Sequence, residues 1–199
     1  MALFYSILRS FLEQIREFNL MKKAVFFDRD GVINVDSAYV GRIEQFNLLP
    51  GVVEALKQLR DKGYFLVLVT NQSGVARGMF TEADVMRVNV FMQENLRLYD
   101  AFFDAIYYCP HHPQAQVEKY RVECNCRKPK PGMIERAAME HDIDLSLSVL
   151  IGDHASDLKA GQAAGVGKLV LVGNHIESEQ KILKPSAVFK DLKAAADSM

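Results

Sequence analysis

Phe26-Phe27-Asp28-Arg29-Asp30-Gly31 puts two carboxylates one residue apart at the end of an apolar run that starts at Ala24. The run is short, apolar and stopped by a charge, the pattern of a strand buried on both faces of a parallel sheet. Asp28 and Asp30 then sit at its carboxyl end. In extended backbone, residues i and i+2 point the same way, so both carboxylates face one small pocket while Arg29 faces elsewhere. Gly31 lets the chain turn away tightly. Two carboxylates this close repel each other unless a cation, a proton or a ring of N–H donors compensates, so the pair calls for a metal. A lone D-x-D-G is more often a surface turn, and the rest of the chain has to decide between the two.

Working outward, Phe65 to Val69 reads as a second buried strand, ending in Thr70-Asn71-Gln72-Ser73-Gly74. A hydroxyl and several backbone N–H groups at a strand end make a cradle for a phosphate. A third strand is expected near Ala105 to Tyr108. A fourth, Ser148 to Ile151, ends in Gly152-Asp153-His154-Ala155-Ser156-Asp157; a fifth spans Lys168 to Val172 and a short sixth Ala187 to Phe189. Helical spacing fills the gaps: Val52, Ala55, Leu56 and Leu59 before Gly63, a helix capped by Thr81 and running to about Tyr99, one opened by Gly132, and one from about Ser156 to Ala164. The last residues read as a polar helix, and Val32 to Leu49 as a loop or small hairpin over the mouth of the first strand. This alternation predicts an α/β fold, a Rossmann-like parallel sheet with helices on both faces. Ligands of such sheets bind outside the carboxyl ends of the strands, where Asp28, Asp30, Thr70 and Asp153 all fall.

With 199 residues, 49% hydrophobic and 25% charged, the chain suits one domain, expected from about Met21 to the end. The net charge of −1 is not gathered into basic runs, so no nucleic acid or anionic membrane partner is indicated. No segment has the roughly 18 to 20 apolar residues needed to span a bilayer. Residues 1–20 carry Phe4, Ile7, Leu8, Phe11, Leu12 and Ile15 at helical spacing among charges. They lack the basic start, clean apolar stretch and cleavage site of a signal peptide, so a cytoplasmic location is expected. This amphipathic extension is expected to be dispensable, either a docking helix or an in-frame extension upstream of the true start.

The densest chemistry lies at 109–126. Cys109-Pro110-His111-His112-Pro113 is followed by Cys124-Asn125-Cys126, and these are all three cysteines of the chain. Three thiols cannot pair fully, and nothing marks the chain for an oxidising compartment. Three thiolates and an imidazole make a closed tetrahedral set, so Cys109, His111, Cys124 and Cys126 are expected to hold a structural zinc, with His112 a competitor for His111. Buried or incidental thiols are the alternative. Directly after comes Arg127-Lys128-Pro129-Lys130-Pro131-Gly132, a basic pair tethered by that loop and stiffened by proline, which makes a positioned cation.

D-R-D-G at 28–31, T-N-Q-S-G at 70–74, R-K-P at 127–129 and G-D-x-x-x-D at 152–157 resemble, in order, the four motifs of the haloacid dehalogenase superfamily of phosphatases. The Cys/His cluster ahead of R-K-P resembles the branch acting on heptose bisphosphates and on histidinol phosphate. V-D-x-x-Y-V, T-N-Q-S-G-x-A-R-G and Y-Y-C-P-H-H-P favour the heptose side. The resemblance spans Met21 to about Val172. It implies a magnesium-dependent phosphatase without a large cap domain, acting on the C7 phosphate of D-glycero-D-manno-heptose 1,7-bisphosphate on the way to ADP-heptose of lipopolysaccharide core or to GDP-heptose. Histidinol phosphate or another small phosphate ester is the alternative substrate, and a non-catalytic zinc-stabilised binding module the alternative of another class.

The resemblance further implies Asp28 as nucleophile, Asp30 as general acid and base, and Thr70 and Lys128 as stabilisers of the phosphoryl group. Mg²⁺ would be held by Asp28, the Asp30 backbone carbonyl and Asp153. Asp36, Ser37, Ala38, Tyr39, Asn71, Gln72, Ser73 and Arg127 resemble the family's substrate contacts. His154 stands where the heptose enzymes usually carry lysine, so it is the expected anion contact at that position. Asp157 is either an outer support of the site or a helix-start carboxylate. A monomer acting on a small phosphorylated sugar is expected.

Overall fold

A computed structural model of the chain describes residues 21–173 and 176–199. The expected helix over residues 1–20 lies outside the described residues. Six parallel strands form one sheet: β1 Ala24–Phe27, β2 Phe65–Asn71, β3 Ala105–Cys109, β4 Val149–Gly152, β5 Lys168–Val172 and β6 Ala187–Phe189, in the order β3-β2-β1-β4-β5-β6. The helices are α1 Val52–Asp61, α2 Glu82–Arg97, α3 Gly132–His141, α4 Ala155–Ala164, α5 Ile176–Gln180 and α6 Leu192–Asp197.

Each strand's alternation divides its side chains between two cores. Val25, Phe27, Leu66, Leu68, Val149 and Ile151 join Leu56 and Leu59 of α1 and Val88, Met92 and Leu96 of α2. Ala24, Phe26, Val67, Val69, Leu150 and Leu171 join Met133, Ile134 and Ala137 of α3 and Leu158 and Ala160 of α4. This is why β1, β2 and β4 read as unbroken apolar runs.

The register sets the site. Phe27, the last residue of β1, pairs with Leu68 on one side and with Ile151 on the other, so β1 stops while β2 runs on to Asn71 and β4 to Gly152. From β1 the chain order proceeds outward in opposite directions, to β2 on one side and β4 on the other, and a crevice opens where the direction reverses. Asp28 stands at that point.

Two segments refine the expectations. Within 32–49, Asn34 bridges Leu48 antiparallel, Ile43–Gln45 forms a 3-10 turn, and Val32, Ile33, Val40 and Phe46 are buried. The hairpin therefore has its own root in the core. The C-terminal helix is not polar all round: Leu192, Ala195 and Ala196 are buried in the core that α1 also faces. Two of these are alanines, which leave little trace in a hydrophobic pattern.

Candidate active site

Asp28 follows β1 directly, and its backbone N–H donates to the Ile151 carbonyl at 3.1 Å. Lys128 reaches it from the far side of the sheet end. The lysine side chain is buried, and its three ammonium protons have three acceptors: Asp28 Oδ1 at 2.8 Å, Asp157 Oδ1 at 2.7 Å and the Val69 carbonyl at 2.8 Å. Burial works against this charge, but Asp157 and Asp28 outweigh it and hold the lysine pKa above its ordinary value. A buried ammonium needs such complete pairing. Burial pushes the Asp28 carboxyl up to about 6, against the pull of Lys128 and with the help of the Asp157 and Asp30 charges.

Asp30 is held from three directions. Asn34 Nδ2 donates to one oxygen at 2.9 Å, Gln72 Nε2 to the other at 3.0 Å, and Arg29 to both at 3.2 Å. Arg29 does face away from the pocket, but into the protein. It is fully buried and also donates to the Val40 carbonyl at 3.0 Å and to Asn89 Oδ1 of α2 at 3.4 Å. Strand alternation gave no hint of this role; the signal available was a buried polar residue, Asn89, on the apolar face of α2.

Asp153 projects from the end of β4. Gly31, at φ +82°, packs so tightly on it that a Cβ there would lie 2.1 Å from Asp153 Oδ2, so only glycine fits. Its Oδ1 lies 2.8 Å from His154 Nδ1 but off the line of an aligned hydrogen bond, and it is buried with no other partner. Burial also raises the Asp153 pKa. Two buried carboxylates that are costly to ionise, one with an unpartnered oxygen, are the donor set a hard divalent cation fits. Asp157 accepts from the His154 backbone N–H at 3.1 Å besides binding Lys128, so it both starts α4 and anchors the lysine. A Cβ at position 152 would lie 2.4 Å from its own Cβ, which is why the strand must end in glycine.

The other expected residues separate into two groups. Asp28, Asp30, Asp36, Ala38, Tyr39, Asn71, Gln72, Ser73 and His154 line one cleft of about 310 Å³. Thr70 lies buried beneath it, accepting from Gln72 Nε2 at 3.0 Å. Ser37 is exposed on the loop and does not line the cleft. The Asn71 amide is taken up by Lys128, donating to its carbonyl at 3.0 Å and accepting from its N–H at 3.1 Å, so it clamps the lysine backbone. The Asp153 carboxylate, 2.8 Å from its Nδ1, raises the His154 pKa to about 9.

The Cys/His cluster assembles as expected. Cys109, His111, Cys124 and Cys126 bring four ligand atoms within 4.8 Å of one another. The sulfur–sulfur edges are 3.1, 3.2 and 3.5 Å, and His111 Nδ1 lies 3.5 and 3.8 Å from Cys126 and Cys109. A tetrahedron with Zn–S near 2.3 Å has edges of about 3.6 to 3.8 Å, which the sulfurs would reach by opening slightly around an ion. Bonds from Cys109 and then His111 draw the Cys126 thiol down to about 5, despite burial. His112 is not in the set; its Nδ1 accepts from the Gln114 N–H at 3.1 Å. Burial, followed by the Arg127 and Arg77 charges, lowers its pKa. Arg127 donates to the His111 carbonyl at 3.3 Å, so the loop leads straight into Lys128.

Two family models match the chain, one described as haloacid dehalogenase-like hydrolase over residues 25–96 and one as HAD-hydrolase-like over 125–195. A D-glycero-beta-D-manno-heptose-1,7-bisphosphate 7-phosphatase from Salmonella typhi is 49% identical over 149 residues, 75% of this chain and 79% of that one. The chain belongs to this family of haloacid dehalogenase-like hydrolases. Another member, of the same name and from Haemophilus ducreyi, is 51% identical over 152 residues, 76% of this chain and 83% of its own. Among solved structures, the D,D-heptose 1,7-bisphosphate phosphatase from B. bronchiseptica, complexed with magnesium and phosphate, superposes with a TM-score of 0.79. It is 34% identical, covering 88% of this chain and 97% of that one. The named relatives and the hydrolase family model make the chain a phosphoric monoester hydrolase.

Proposed function

We propose that the chain removes the C7 phosphate of D-glycero-β-D-manno-heptose 1,7-bisphosphate, with magnesium at Asp28, the Asp30 carbonyl and Asp153, and with a structural zinc in the cysteine loop. The observation that carries the reading is the fully paired Lys128 between Asp28 and Asp157 at the strand-end crevice, beside a buried Asp153 oxygen that receives no aligned hydrogen bond. Relatives about half identical to this chain supply the substrate and its β configuration.

Asp28 attacks phosphorus in line and takes the phosphoryl group as an acyl phosphate. Lys128 and Thr70 meet the equatorial oxygens, where charge spreads in the transition state. Asp30, oriented by Arg29, Asn34 and Gln72, gives its proton to the departing sugar oxygen. It then takes one from the water that releases phosphate. Bound magnesium supplies charge neutralisation, letting an anionic nucleophile approach an anionic ester. Asp36, Ala38, Tyr39, Asn71, Gln72, Ser73 and His154 enclose the sugar, and Ser37 and Arg127 serve from outside the cleft.

No helix among the described residues is long and apolar enough to cross a membrane. Action as a monomer in the cytoplasm, by a domain starting near Met21, completes the proposal; sedimentation at working concentration tests the monomer. The deciding experiment compares kcat/KM with Mg²⁺ on both anomers of the heptose bisphosphate and on histidinol phosphate. A marked preference for the β-heptose is expected, and comparable rates on all three would overturn the assignment.

A further inference from the structure

Phe80 takes no part in anything described so far, yet it lies where the two loops that wall the cleft meet. It directly precedes Thr81, whose hydroxyl and backbone N–H exchange hydrogen bonds with Asp84 at 2.6 to 3.2 Å, so the ring is carried on the fixed start of α2. At its root the ring lies against Gly41, where a Cβ would be 2.2 Å from Phe80 Cδ1. At its tip it lies against Gly74, where a Cβ would be 2.2 Å from Phe80 Cζ. An ordinary carbon contact is about 3.5–4.0 Å, so neither position has room for a side chain. Neither glycine holds a left-handed φ, so the backbone does not call for glycine at either place; the ring does.

The two glycines belong to opposite walls. Gly74 lines the cleft and ends the 71–74 turn, from which Gln72 donates to Asp30. Gly41 follows Val40, whose carbonyl accepts from Arg29, the residue that holds Asp30 from another side. Just before it, Ala38 and Tyr39 line the cleft, and they also line a second cavity of about 400 Å³ that Gly41 and Phe80 share. The Ala38–Tyr39 wall thus has open space on both sides, and packing does not set its place from behind. Both residues hold the left-handed backbone, at φ 54° and 64°, a costly conformation for any residue with a Cβ and one retained where the surroundings fix the chain. The Phe80 ring at Gly41 is such a fixed point.

We infer that Phe80 is a positioning residue for the sugar: its ring sets the distance between the 36–41 wall and the 71–74 wall, and with it the width of the cleft. The inference rests on the function proposed above. Its test is the kinetics of the wild type, Phe80→Ala, Phe80→Leu, Gly41→Ala and the double variant Phe80→Ala/Gly41→Ala on β-heptose 1,7-bisphosphate and on p-nitrophenyl phosphate, a smaller probe with a good leaving group. For Phe80→Ala, KM for the heptose should rise roughly 10-fold, since a shift of about 1 Å imposed from a distance can cost up to about 100-fold. On p-nitrophenyl phosphate kcat/KM should stay within about threefold, and Phe80→Leu should recover part of the heptose loss. Gly41→Ala should harm heptose turnover in the presence of the ring and add little in its absence, the non-additivity of two groups in contact. Equal losses on both substrates would mark Phe80 as a brace of the fold and overturn the inference. So would an unchanged heptose KM in Phe80→Ala, or additive losses in the double variant. If the wild type hydrolyses p-nitrophenyl phosphate but not the heptose, the proposed substrate itself is wrong, which shows before any variant is read, and the inference falls with it.

Discussion

Asp157→Asn isolates one charge at the centre of the site. Asparagine keeps the size of the side chain and an oxygen to accept from the His154 N–H, but it no longer compensates Lys128, whose ammonium is 2.7 Å away and buried. Removing one partner of a buried ion pair costs about 3–5 kcal/mol. Here Asp28 and the Val69 carbonyl remain as acceptors, at 2.8 Å each, so the cost falls just below that range, to about 2–3 kcal/mol. For a chain of this length each kcal/mol moves the melting temperature by about 2–4 °C, which predicts a drop of about 4–12 °C. Calorimetry on the metal-loaded protein reads this directly. Turnover should fall as well, roughly 10- to 100-fold, because Lys128 is then drawn onto Asp28 and away from the phosphoryl oxygens. A variant that melts within about a degree of the wild type and keeps full turnover would refute the view that Asp157 compensates the lysine.

Asp28→Asn should abolish phosphate release while leaving the circular dichroism spectrum and zinc content unchanged; surviving turnover would exclude an aspartyl-phosphate route. Cys124→Ser should lose zinc by elemental analysis and, because the loop runs into Arg127 and Lys128, lower both stability and kcat; unchanged metal content would refute the ligand set. Glu82, at the start of α2, accepts from the Tyr120 hydroxyl at 2.7 Å and the Tyr108 hydroxyl at 3.0 Å, and the Tyr120 bond leads in holding its pKa below the usual 4.5. Its stabilisation is therefore complete above pH 4.5 and is lost as pH falls through the depressed value. The stability gap between wild type and Glu82→Gln, followed by urea denaturation, should shrink on acidification, and a gap independent of pH would contradict the linkage. Deleting residues 1–20 should leave kcat/KM intact, so lost activity in a folded truncation would show the extension to be part of the working enzyme.

Strands and motifs were readable because both follow periodic or local patterns. Four apolar runs, each ended by a polar cluster, gave the sheet and placed Asp28, Asp30, Thr70 and Asp153 at one edge. The cysteine spacing gave the four side chains that converge, Cys109, His111, Cys124 and Cys126. The partnerships were not readable, because they join residues far apart in sequence. Asp157 with Lys128, and Arg29 with Asn89 beneath Asp30, depend on how β4, α2 and the zinc loop approach β1. Asn71 and Gln72 were expected to touch substrate; both line the cleft, but their amides bond to Lys128 and to Asp30 and Thr70. A side chain's neighbours are a tertiary property that its motif does not encode.

The central place of β1 has a consequence for synthesis. Its carboxylates leave the ribosome early, flanked at first only by β2 on one side, while the other edge must wait for β4. Until then Val25, Phe26 and Phe27 form a bare hydrophobic edge, open to wrong pairing with other nascent chains. Over the same interval Asp28 and Asp30 stay hydrated and harmless, because the lysine that will be buried against them and the aspartate that balances it lie further along the chain. The stretch from Lys128 onward thus both closes the sheet and completes the cluster around Asp28, so a product truncated before it would be aggregation-prone and inert together.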